Sequence, residues 1–101
     1  MKCLVVLAHP LSSSLCGALA KTAIAALNNA GHEVQVENLY EAGFSPALTA
    51  AERATYYRPP FDASAIQAQT ERLLAAEAIV LIFPTWWFGF PAMLKGWFDR
   101  V

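Results

Sequence analysis

With 101 residues the chain has room for one small domain and no second one, since single domains run from roughly 50 to 250 residues. An apolar share of 56% against 15% charged supplies a core and excludes a disordered, charge-rich tail. Seven basic and eight acidic residues leave a net charge of −1 with no cluster of either sign, which argues against a nucleic-acid partner, and apolar runs such as residues 78–83 fall far short of the about 20 residues needed for membrane insertion.

Residues 2–8 (KCLVVLA) form a short apolar run containing Val5 and Val6, the pattern of a central strand covered on both faces. His9 and Pro10 interrupt it before it reaches the length of a signal-peptide core, and bulky Leu15 stands where a cleavage site needs a small residue. Two cysteines, in no zinc-like spacing, are expected as reduced thiols. The protein is accordingly read as cytoplasmic.

From Ser14 to about Ala30 the spacing of Leu15, Leu19, Ala23 and Leu27 predicts a helix with those residues on one face, ended by Gly31. Residues 33–38 alternate, Val34 and Val36 against Glu33, Gln35 and Glu37, as in a less covered edge strand. An irregular stretch over 39–60 contains a capping box, Thr49 with Glu52, and ends at Pro59-Pro60. Asp62 or Ser64 caps a further helix to about Ala76, with Ile66, Leu73 and Leu74 sharing a face. Residues 78–83 (AIVLIF) read as a second strand buried on both faces, closed by Pro84. Pro91 suits the first turn of a last helix carrying Met93, Leu94, Trp97, Phe98 and Val101 toward core or subunit contacts, with Lys95, Asp99 and Arg100 on a solvated face.

Alternating strands and helices give an α/β fold with a parallel sheet. The first and third strands read as inner and the second as an edge, so the expected order is 2-1-3, the start of a doubly wound sheet. No end to the last helix is visible and the third strand lacks a second neighbour, so the domain is expected to be incomplete on its C-terminal side.

In such sheets ligands bind beyond the carboxyl ends of the strands, here at the loops after the first and third. The first loop, HPLSSSLC at 9–16, places His9 and three serines before a helix start, where free N–H groups and the helix dipole favour a phosphate. Plain capping accounts for the serines equally well, and no glycine-rich dinucleotide or triphosphate fingerprint is present. The second loop, PTWWFGFP at 84–91, gathers Trp86, Trp87, Phe88 and Phe90 where a flat heterocycle stacks; covering the sheet end or a subunit contact is the competing role. Gly89 is read as the residue for a tight turn or as ordinary punctuation.

The segments AHPLSSSL at 8–15 and FPTWWFGFPAMLKGWFDRV at 83–101 resemble the NAD(P)H dehydrogenase (quinone) family of flavodoxin-like flavoproteins. The resemblance runs along the whole chain and covers about the first half of a typical member. It implies two-electron hydride transfer from NAD(P)H to a flavin, FAD with FMN as the alternative, and on to a quinone, usually in a homodimer. By the same resemblance His9, Ser14, Leu15 and Cys16 lie along the flavin phosphate, and Pro84, Thr85, Trp86, Trp87 and Phe88 line the ring and its acceptor pocket. Cys16 replaces an asparagine and Trp86 a glutamine often found in the family, and no catalytic acid lies within these residues. Two further readings belong to the same fold: an ancillary regulatory subunit of a potassium-efflux system, and a one-electron carrier, which the missing acidic face disfavours.

Overall fold

The computed structural model describes residues 1–101 and contains three parallel strands with helices on both faces. In chain order these are β1 (Lys2–Leu7), α1 (Leu15–Asn29), β2 (Glu33–Asn38), α2 (Ala50–Thr55), a 3-10 turn (Ser64–Ile66), α3 (Gln67–Ala75), β3 (Ala78–Ile82) and α4 (Ala92–Arg100). The sheet order is β2-β1-β3, as the hydropathy pattern predicts. β1 pairs with both neighbours in parallel, Val5 opposite Val36 on one side and Val80 on the other. β3 has one neighbour only and is less covered than a doubly buried strand, with Ile79 exposed.

Side chains alternate across a strand, so β1 sends Leu4, Val6 and Ala8 to one side. There they meet Leu39, Phe44, Ile66, Leu94 and Trp97 in the main core, with Leu73, Leu81 and Phe83 at its margin. Cys3 and Val5, equally buried, point to the opposite side, which α1 covers. Ser14 caps α1 by accepting from the Gly17 N–H at 3.1 Å, and Gly31 ends it at a φ of +85°.

Five further expectations from the sequence are corrected. The buried stripe of α1 is Cys16, Gly17 and Ala20, while Leu15 (75% exposed) and Leu19 face outward. Small residues let the helix axis approach the sheet, and leucines there would hold it off. In β2 it is Glu37 that is buried and Val36 that is exposed. α3 crosses the Glu37 face, and Arg72 reaches down to grip its carboxylate with Nε at 2.7 Å and Nη2 at 2.9 Å. Leu74 of α3, expected inward beside Leu73, is exposed because only one edge of this short helix touches the core. Pro91 stands just before α4 as its extended N-cap residue rather than inside the first turn.

The fifth correction is Arg100, expected in solvent and found buried. Its guanidinium grips Glu52, with Nε donating to Oε1 at 2.9 Å and Nη2 to Oε2 at 2.9 Å, while Nη1 donates to the Ser45 carbonyl at 2.6 Å. Glu52 also closes the predicted capping box of α2 with Thr49. The Arg100 hydrogen bonds hold the Glu52 carboxyl below its ordinary pKa, against burial, which pushes it up.

A carboxyl lowered in this way stabilises the fold fully above its unfolded pKa, roughly 4.3, and loses that contribution as pH falls through the lower folded value. Glu52→Gln leaves Arg100 without its counter-charge and should cost about 3–5 kcal/mol at neutral pH. It should also shrink the loss of stability on acidification below roughly pH 4.3. Urea unfolding of both proteins between neutral and acid pH reads both effects.

Candidate functional site

The carboxyl ends of β1 and β3 open onto the same edge of the sheet, and the Ala8 N–H donates to the Ile82 carbonyl at 3.0 Å where the two strands finish. The loops that follow therefore start side by side. His9 is the first residue of one, and its Nδ1 lies 3.0 Å from the Leu11 N–H, from which it accepts. In the neutral ring this places the remaining proton on Nε2, so His9 presents a donor. Across the gap, its ring meets that of Trp86 edge-on at 5.7 Å between centroids.

Within the first loop the serines divide their roles. Ser14 is committed to capping α1, whereas Ser12 and Ser13 are exposed. The loop lies directly on the helix at Gly17, where a Cβ would come within 2.4 Å of the Ser12 carbonyl oxygen. Any larger residue at 17 would lift the loop. Cys16 is buried against the sheet and Leu15 points to solvent, so these neighbours face different surroundings. With the Gly17 N–H taken by Ser14, the Leu15 and Cys16 N–H groups at the start of α1 have no helical acceptor and complete the donor set beside His9. A cavity of about 540 Å³ flanks the loop, lined by His9, Ser12, Lys21, Asn38, Tyr40 and Glu41 among others.

The second loop is built around a tight turn. The Gly89 N–H donates to the Trp86 carbonyl at 3.2 Å, and Trp87 and Phe88 occupy the two central positions at φ values of +51° and +62°. Positive φ at both central residues is the type I′ geometry, which favours Asn and Gly. Here two large aromatics adopt it, and Gly89, the residue expected to take the turn, is outside the positive-φ region. Neither ring gains packing in return: Trp87 is 95% and Phe88 102% exposed. Pro84 is half-buried at the foot of the loop and Thr85 is exposed beside it. Backbone strain held without internal packing is a feature that clusters at ligand-binding positions.

Two aromatics outside the loop motif, Phe83 and Phe98, support it from below through Phe90. Phe83 at the end of β3 packs on Phe90 at 5.0 Å, and Phe90 on Phe98 of α4 at 5.2 Å. The loop is thus pinned at both ends while its tip projects.

The comparisons with known proteins bear on this arrangement. The family described by the flavodoxin-like fold matches residues 1–101. The chain belongs to that family. A ribosyldihydronicotinamide dehydrogenase-like protein of Penicillium crustosum is 35% identical over 100% of the chain and 43% of its own length. NAD(P)H dehydrogenase [quinone] 1 of Rattus norvegicus is 33% identical over 99% of the chain and 42% of its own. Among solved structures, the NAD(P)H:quinone oxidoreductase from Methanothermobacter marburgensis superposes with a TM-score of 0.89 at 32% identity, covering 100% of this chain and 53% of that one. The chain therefore spans about half the length of these relatives. No helix is long and apolar enough to cross a membrane.

The residues fit a flavin nucleotide in chemical kind. Anion-seeking N–H groups and the His9 donor lie on one side, and unpaired aromatic faces rise on the other.

The strained turn yields a prediction with opposite signs for stability and binding. Replacing Trp87 by Asn and Phe88 by Gly removes no buried contact and relieves two left-handed residues, each costing roughly 1–2 kcal/mol. The double variant should unfold at higher urea concentration than the parent, yet bind aromatic ligands more weakly by fluorescence titration.

Proposed function

We propose that this chain forms the flavin-orienting part of an NAD(P)H oxidoreductase that reduces quinones or similar acceptors by two-electron transfer in the cytoplasm. The observation that carries the reading is the strained Trp86–Gly89 turn, which holds two bare aromatic faces beside the His9 donor at the carboxyl edge of the sheet. Similarity along the whole chain to quinone reductases supports it.

The cofactor, FAD in this reading and FMN as the alternative, supplies the capacity to accept hydride from NAD(P)H and hand it on. The chain's residues do the positioning. His9 Nε2–H and the first N–H groups of α1, with Ser14 and Cys16 setting the helix start and Leu15 at the exposed rim, hold the phosphate. Pro84 and Thr85 fix the base of the second loop, and Trp86, Trp87 and Phe88 provide flat apolar surface for the ring and for a planar acceptor. Aromatic walls also exclude water, which protects a hydride in transit.

On the same reading two copies of the protein pair, with the half-exposed Phe90 and Phe98 toward the contact, and the free edge of β3 receives further strands from sequence beyond Val101. The relatives, about twice as long, support this last point.

The test is the protein expressed from its native gene. It should carry one flavin per chain, with an absorption band near ~450 nm, and oxidise NAD(P)H in the presence of quinone. His9→Ala should weaken flavin binding by about 10- to 100-fold, the worth of one charge-assisted hydrogen bond. Native protein that takes up no flavin overturns the proposal.

A further inference from the structure

Arg100 lies in the last turn of α4, where a cation suits the helix dipole, but its contacts go well beyond that. Besides the fork on Glu52 and the bond to the Ser45 carbonyl, its guanidinium lies 5.4 Å from the centroid of the Phe44 ring. One turn earlier, Gly96 sits on Pro46 so closely that a Cβ would fall 2.3 Å from both the Cβ and the carbonyl oxygen of the proline. Two contacts of different kinds therefore lock α4 to the 44–52 segment.

Cohesion alone does not call for this chemistry. A buried ion pair replaced by apolar residues of similar volume commonly loses no stability; what a bidentate fork adds is direction. The direction matters because of what α4 carries. Two residues before Arg100, Phe98 touches Phe90, which touches Phe83, so the helix bears on the loop between β3 and α4 at both of its ends. That loop contains the strained turn at Trp87 and Phe88.

We propose that Arg100 is a positioning residue: by fixing α4 against Glu52 and Ser45 it sets the placement of the Trp86–Gly89 turn, and so the fit of a planar acceptor. The inference rests on the reading of that turn as the acceptor platform. Glu52 and the Gly96–Pro46 contact belong to the same device.

The test uses the full-length natural protein and two variants. Arg100→Met with Glu52→Leu removes the fork and keeps apolar volume; Gly96→Ala keeps the fork and displaces the helix from Pro46. In whichever variant retains the parental far-ultraviolet circular dichroism, the KM for a quinone should rise by about ten- to a hundredfold, beyond any change in kcat. In flavin-free protein, the Gly89 amide, bonded to the Trp86 carbonyl, should exchange with solvent about tenfold faster or more. A folded variant with parental KM and parental Gly89 exchange overturns the proposal. Faster Gly89 exchange in a protein that binds no flavin sustains the coupling to the turn while removing the quinone-reductase reading, so the two failures are distinct.

Discussion

Everything in this fold hangs on β1. It is hydrogen-bonded along both edges and packed on both faces, so its backbone groups are satisfied only when β2 and β3 are in register beside it, and its side chains are buried only when helices lie above and below. Leu4, Val5 and Val6 are almost wholly removed from water. Burying each such side chain contributes roughly 1.5–3 kcal/mol, and an unpaired buried amide costs a comparable amount. A chain that meets both demands has few alternatives to the β2-β1-β3 order.

The same arrangement creates the site. Because connections leave β1 and β3 toward opposite faces, their loops diverge and leave a crevice at the carboxyl edge. The two sides of that crevice are built on different principles. On the α1 side, backbone N–H groups and His9 are fixed by local hydrogen bonds at low conformational cost. On the β3 side, two residues are held in a backbone region they disfavour, supported by Phe83, Phe90 and Phe98 beneath. In the proposed reading the rigid side holds the anion and the strained side the planar partners.

Buried charge supplies the remaining organisation. Glu37 with Arg72 ties β2 to α3, and Glu52 with Arg100 ties α2 to α4. Each pair joins elements far apart in sequence. Bidentate geometry makes these ties directional, and in the second case that direction reaches the aromatic loop.

Local chemistry in the sequence was sufficient for the elements themselves. The β-branched runs marked the strands, Ser14 and Thr49 with Glu52 marked helix starts, Gly31 marked a helix end, and the two loops stood out by composition. These signals are legible because each depends on neighbours within a few residues. The choice of buried face was a different matter. Cys16, Gly17 and Ala20 displaced Leu15 and Leu19 because the separation between helix and sheet selects for size as well as polarity. Glu37 and Arg100 went inside because a partner on a distant element supplied the opposite charge, something no periodicity encodes. The left-handed backbone at Trp87 and Phe88 likewise runs against residue preference and exists because β3, Phe90 and α4 hold both ends of the loop. Sequence alone determined which segments are strands, helices and the loops at the carboxyl edge of the sheet; tertiary structure decided which side chains those segments bury and how the loops are aimed, because both depend on contacts between residues the chain does not place side by side.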